Sequence, residues 1–271
     1  MGTSTGYDMP TGGDWTPLKR EATKFVKDEG EGGDDGAPAS NPALPESLLR
    51  RFMQTHGGSK SFARGTAGSG GGARGGGNQG SGGGNRGGVG RAARSTGRAL
   101  GGFLSTVGSV GLDAALRDVG LSHLIGQPAA DVATGLLDAL AAPANTLDEH
   151  ATRRALAKIN EELIGDARTY EDVEQALSNV LDIQGLGRII MNFFGEYLYQ
   201  LFCRDFYENW SKRVGAAQAD RKLKSIKDCI KSGLKAKVIN LDVSKIKWFG
   251  REGLRITQQV MQETLGIFEV T

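Results

Sequence analysis

The chain has 271 residues, a formal net charge of +2, 24% charged residues and 42 glycines. That length holds one or two domains, and the near-neutral total excludes a global field that would draw in nucleic acid. Its two cysteines, Cys203 and Cys229, exclude a disulfide framework, and neither lies in a CxxC pair, so a reducing cytoplasm is the expected compartment.

The sequence opens Met1-Gly2-Thr3-Ser4. A small second residue favours removal of the initiator Met, which leaves a free amine on Gly2. Position six is Gly6 rather than Ser or Thr, so the myristoylation pattern fails, and the first twenty residues lack the apolar stretch of a signal peptide. Tyr7, Met9 and Trp15 are isolated in a Gly/Thr/Pro/Asp background; they read either as anchors for a partner or as incidental composition. Residues 17–27 (PLKREATKFVK) have the makings of two or three helical turns formed on binding. Residues 28–35 (DEGEGGDD) hold five acids and no base. In 41–53 (NPALPESLLRRFM), Pro45 and Glu46 suit a helix start and Leu48, Leu49, Phe52 and Met53 share an apolar face. This piece is too short to be stable alone, so it docks on the body or on a partner.

Between Ser47 and Leu112 there are nine Arg or Lys and no acid, and residues 65–90 hold 15 glycines in 26 positions. Glycine at that density loses too much backbone entropy on folding to build a core, so this segment reads as a flexible linker. From Arg91 the pattern turns helical, with Gly97, Gly101, Ser105 and Gly108 on one side, suited to close approach of another helix. A short helical piece is expected over 112–125. The next helix, near 128–141, turns Val132, Leu136, Leu137 and Leu140 inward. Thr146 and Glu149 form a capping box ahead of a helix to about Ile164 that buries Leu147, Ala151, Ala155, Ile159 and Leu163. Thr169 caps a helix over roughly 170–182.

From Gly185 to Val214, Ile190, Phe194, Leu198, Phe202, Phe206 and Trp210 repeat every four residues, which marks a central core helix rather than a stacking platform. Asn192, Glu196, Arg204 and Asp205 exclude a transmembrane reading of it. Residues 217–236 form an amphipathic helix with Leu223, Ile226, Ile230 and Leu234 inward. An extended strap is expected over 237–243. A last helix near 245–267 buries Trp248, Phe249, Leu254, Val260, Met261 and Leu265. The expected architecture is therefore all-α: a flexible N-terminal arm with short docking helices over 1–64, a Gly-rich linker over 65–90, and a helical bundle domain over 91–271.

Little in the chain resembles a catalytic or cofactor site. Gly70, Gly72 and Gly75 match GxGxxG by glycine density alone, and Gly57-Gly58-Ser59-Lys60-Ser61 lacks both the Walker glycine and a leading strand. His56, His123 and His150 have no partner at metal-ligand spacing, and no nucleophile–base set assembles, so neither a metal, a cofactor nor an enzymatic activity is expected. A nucleic-acid reading draws on Arg64, Arg74, Arg86, Arg91, Arg94 and Arg98 in the arm, and on Lys224, Lys227, Lys231 and Lys235 within the basic 212–237 helix region. The arm lacks the interleaved aromatics that would stack on bases.

The Met1-Gly2-Thr3-Ser4 start, the Gly-rich arm, Ala114–Arg117 (AALR), Gly120–Ala129 (GLSHLIGQPA), Leu136–Leu140 (LLDAL), Leu147–Glu149 (LDE) and Arg153 together resemble the B component of the bacterial Qat anti-phage defence system. The resemblance implies a non-enzymatic protein that works with an ATPase, a TatD-like nuclease and a QueC-like enzyme, one similar to 7-cyano-7-deazaguanine synthase. It further implies direct binding to the QueC-like partner and presentation of the N-terminus to that partner's active site. By analogy with related defence systems, Gly2 is the expected acceptor of a deazaguanine-type base, flanked by Thr3 and Ser4. Gly6, Tyr7 and Trp15 are weaker candidates for modification or partner contact.

Overall fold

A computed structural model describes residues 13–27, 43–64, 89–141, 143–237 and 246–269. Among them are ten α-helices, one short 3₁₀ turn and no strand. The helices are α1 (Trp15–Lys27), α2 (Ala43–Thr55), α3 (Gly58–Arg64), α4 (Arg91–Val110), α5 (Leu112–Asp118), α6 (Ala129–Leu140), α7 (Leu147–Ile164), α8 (Tyr170–Val214), α9 (Ala216–Ala236) and α10 (Arg251–Gly266); the 3₁₀ turn is Ser122–Leu124.

The local signals explain most of these boundaries. Thr146 accepts the Glu149 amide while the Glu149 carboxylate takes the Thr146 N–H at 2.8 Å, so α7 starts on the expected capping box. Thr169 and Asp172 repeat the device at the start of α8. These backbone N–H bonds hold the Glu149 and Asp172 carboxyls below the ordinary range. Helix α8 changes direction at Gly185, which takes φ 71° and ψ 152°, a conformation that side-chain-bearing residues rarely adopt. The two helices expected on either side of that glycine are therefore both present, as the two segments of α8 that meet at this kink.

The second half of α8 is the axis of the molecule. Ile190, Phe194, Leu198, Phe202, Phe206 and Trp210 are all 0–1% exposed. Helices α4, α7, α9 and α10 pack around it. Two glycines of α4 permit close contact: a methyl at Gly97 would lie 2.9 Å from the Phe194 ring, and one at Gly101 would overlap the Trp248 indole. Gly108, placed on the same side by the sequence, is exposed instead.

Three apolar residues expected inside lie outside. Leu147, Phe249 and Leu254 are 48%, 65% and 39% exposed. Leu147 is the first residue of α7, where the helix has not yet turned its apolar face inward. Trp248, not Phe249, fills the space over Gly101, and Phe249 is left to lean on Gly102. The strap expected over 237–243 falls almost wholly in residues 238–245, outside the described residues.

Helices α1 to α3 lie against the body. Leu18, Phe25, Val26, Leu48, Leu49, Phe52, Met53 and Phe62 are at most 6% exposed, and burial of side chains this large stabilises by about 1.5–3 kcal/mol each. A 13-residue helix is marginal in water, so tertiary contact is what holds α1 and α2. Of the alternatives for residues 41–53, docking on the body is the one seen.

Candidate functional site

The region of interest is the N-terminal edge of the described residues, where α1 is tied to the body. Gly2, Thr3, Ser4, Gly6 and Tyr7 lie outside the described residues. Among the described residues the hold begins at Asp14, whose carbonyl accepts the Thr55 hydroxyl at 3.4 Å. Trp15 follows at 4% exposure, its indole edge-on to His56 with ring centroids 5.2 Å apart. Trp15 is therefore a core anchor of this chain and is not displayed to a partner.

His56 links α1, α2 and α8. Its Nδ1 lies 2.9 Å from the Phe52 carbonyl and its Nε2 3.5 Å from Asp205 Oδ2, while Phe52 and Phe62 pack against its ring. The Asp205 side chain is fully buried and receives Arg204 through two bonds of 2.6 and 3.0 Å. Burial pushes this carboxyl up, but the His56 hydrogen bond and the Arg204 charge outweigh it and hold Asp205 below the ordinary carboxylate range. Glu21 on α1 pairs with Arg51 at 2.5 Å and accepts Ser47 at 2.7 Å, so α1 is pinned to α2 as well.

A second clamp closes the ends of the Gly-rich segment. Asp148 Oδ1 accepts the Gly90 N–H at 2.9 Å and Oδ2 accepts the Ala92 N–H at 3.0 Å, so its carboxylate caps the start of α4. The Tyr197 hydroxyl donates to the same carboxylate and takes a share of the Gly90 N–H. Tyr197 is fully buried, and burial with the Asp148 charge drives its phenol far above the ordinary value. Gly90 itself sits at φ 87°, and a methyl there would strike the Phe62 carbonyl. Arg94 then reaches across to Ala63 O at 2.7 Å. The N-terminus of α3 is held in turn by Glu269, which accepts from the Ser59 amide and hydroxyl. The described residues on either side of 65–88 are thus held in one place, with Arg94 bonded to Ala63 across them.

The cations proposed for nucleic acid are differently employed. Arg94 is 8% exposed and bonded to backbone carbonyls, so it offers nothing to a phosphate. Lys227 bonds the buried Glu196 at 2.9 Å and covers the Tyr199 ring; Lys224 pairs with Asp228 at 2.7 Å; Lys231 faces Glu162 at 3.6 Å. Lys235 is exposed. Of the four α9 lysines considered for nucleic acid, three thus have an acid of this chain beside them. The thiols of Cys203 and Cys229 are pushed up to about 11 by burial, which keeps both protonated at neutral pH. Among the described residues no group of three His, Cys, Asp or Glu is arranged to hold a metal ion, and no helix is long and apolar enough to cross a membrane.

A family model described as "Qat anti-phage system associated protein QatB" matches residues 83–268, more than two-thirds of the chain. The chain belongs to the QatB family. Membership makes it a component of the Qat anti-phage system, and the matched span begins inside the Gly-rich segment and takes in α4 to α10. No curated protein and no solved structure gives a significant match to this QatB-family chain. Sequence reasoning had reached the family but missed Asp148, Tyr197, Arg94, His56 and Asp205 as clamp residues. Asp148 stood inside a capping box and offered no separate signal. Only the Asp205 charge, set in an apolar run, hinted at a buried pair.

Proposed function

We propose that this QatB-family protein is a non-enzymatic scaffold that binds the QueC-like enzyme of its system and presents Gly2 for conjugation to a deazaguanine-type base. The observation that carries the reading is family membership in a multi-protein anti-phage system, joined to a body whose buried polar groups serve as clamps. Conjugation needs a nucleophile that an outside active site can surround. A Gly2 amine freed of Met1 is primary, unhindered, and separated by a dozen residues from the first anchor at Asp14. The ATPase and the TatD-like nuclease of the system act beside this pair, within the cytoplasm.

The test is intact-mass analysis of the chain co-expressed with the QueC-like enzyme. A gain of mass localised to the N-terminal peptide is expected, and Gly2→Pro, which replaces the primary amine, removes it. A wild-type chain that co-purifies with the enzyme but keeps its unmodified mass defeats the conjugation reading.

A further inference from the structure

Where α10 begins, two large apolar side chains are left in solvent together. Phe249 and Leu254 are 65% and 39% exposed. Among the described residues the others of this kind, Leu44, Val110, Leu147 and Tyr207, each stand alone in their stretch of chain. The backbone that carries Phe249 is held on both sides. Before it, the Trp248 indole is 3% exposed and fills the space over Gly101. After it, the Gly250 and Gly253 amides both donate to the Lys247 carbonyl, at 3.0 and 3.3 Å. The Phe249 ring lies down on α4: a methyl at Gly102 would meet its Cζ at 3.0 Å and its Cε2 at 3.3 Å. The ring edge is therefore against the helix, and a ring face is open to solvent. A ring laid down in this way does not project the about 5–10 Å that insertion into a bilayer surface needs. It can receive another flat ring.

Cations surround this ring. Arg251, Leu254 and Arg255 share one face of α10 by their i, i+3, i+4 spacing. Arg98 stands one turn before Gly102, on the face of α4 that carries the ring. Lys247, Arg251 and Arg255 are exposed and Arg98 is half-buried. None of the four is ion-paired with a described residue. The acids do not cancel them. Helix α4 has none. Of the two in α10, Glu252 accepts the Lys247 amide at 3.3 Å, and Glu263, further along the helix than Arg255, accepts from Gln259. Residues 238–245, which precede the patch in sequence, hold Asp242 and Lys245 and add no net charge. Four cations less Glu252 leave a local charge of +3.

We propose that the Phe249 surface binds single-stranded nucleic acid, with one base stacked on the ring and the adjoining phosphates met by Arg98, Lys247, Arg251 and Arg255. A duplex offers the same phosphates but keeps its bases inside, so the ring selects single strands. The site uses α4 and α10 alone and holds whatever becomes of Gly2.

The experiment titrates the full chain into a labelled twelve-nucleotide oligothymidylate and a labelled twelve-nucleotide oligouridylate, and follows anisotropy over a series of salt concentrations. Both strands are expected to bind at low salt; tighter binding of either supports the proposal and names the polymer. Phe249→Ala weakens binding about 5–150-fold, the worth of one stacked base. Phe249→Leu, apolar but without a ring, weakens it as much, and Phe249→Trp keeps it. Arg251→Gln with Arg255→Gln lowers the slope of log Kd against log salt by about 1.4, at ~0.7 for each phosphate lost. The substituted side chains are exposed, so every variant melts with the wild type. Absence of binding to both strands at low salt overturns the proposal, as does binding that survives Phe249→Ala or a duplex of equal length bound as tightly. Capture by phosphatidylserine vesicles that Phe249→Leu retains, with no binding to either strand, makes the patch a membrane contact and overturns it too.

Discussion

Replacement of Asp148 by Asn tests the clamp at the start of α4. The carboxylate accepts three hydrogen bonds, from the Gly90 amide at 2.9 Å, the Ala92 amide at 3.0 Å and the Tyr197 hydroxyl. A carboxamide keeps one accepting oxygen and turns an NH₂ toward a donor, so at least one buried N–H or O–H loses its partner. A buried donor left unpaired costs about 1–3 kcal/mol, and bonds to an ionised acceptor are roughly twice as strong as neutral ones. The expected destabilisation is therefore about 3 kcal/mol, or ~6–12 °C in Tm for a body of this size. Tyr197→Phe removes one of the three donors while Gly90 keeps Asp148, so about 1 kcal/mol is expected. The double variant should fall short of the sum, since both act on one network. Urea unfolding at constant m supplies the free energies, and amide exchange at Gly90 and Ala92 supplies the location. An Asp148→Asn chain within 0.5 kcal/mol of wild type, with both amides still protected, would refute the clamp.

Trp15→Ala should release α1 before the body unfolds: exchange protection across Trp15–Lys27 drops while α4 and α8 stay protected, with a local cost of about 3 kcal/mol. Gly101→Val should cost about 1–3 kcal/mol, because any side chain at that position overlaps the Trp248 indole, and loss of the native near-ultraviolet dichroism of that tryptophan reports the displacement. The folded-state depression at Asp205 gives stability that is full above the unfolded carboxylate value near 4 and is lost as pH falls through the lower folded value. Asp205→Asn should therefore weaken the fold at pH 7 and flatten the acid limb of the urea midpoint between pH 5 and 3; an unchanged limb counts against the pair with Arg204 and His56.

How much of this was legible beforehand follows from what each signal depends on. The capping boxes at Thr146 and Thr169 and the break at Gly185 depend on a few neighbouring residues. The four-residue stripe from Ile190 to Trp210 depends only on helical period, and its complete burial followed. These local rules were enough to establish an all-α bundle and the bounds of most helices from α6 to α9, and the motifs over 114–153 carried the family. They did not show the clamps, because Asp148, Tyr197, Gly90 and Ala63 are brought together from four stretches of chain.

The sequence by itself determined that most of this protein builds an all-α body. Whether the amphipathic pieces ahead of the Gly-rich segment belonged to an arm or to the body was beyond it. A 13-residue apolar face looks the same whether its complement lies on a partner or on α8 and α9 of its own chain. Tertiary structure decided for the body by placing Leu18, Phe25, Phe52 and Phe62 in the same core as Phe202 and Trp210. That choice makes α1, α2 and α3 part of the body, because the complement to their apolar faces lies on the same chain.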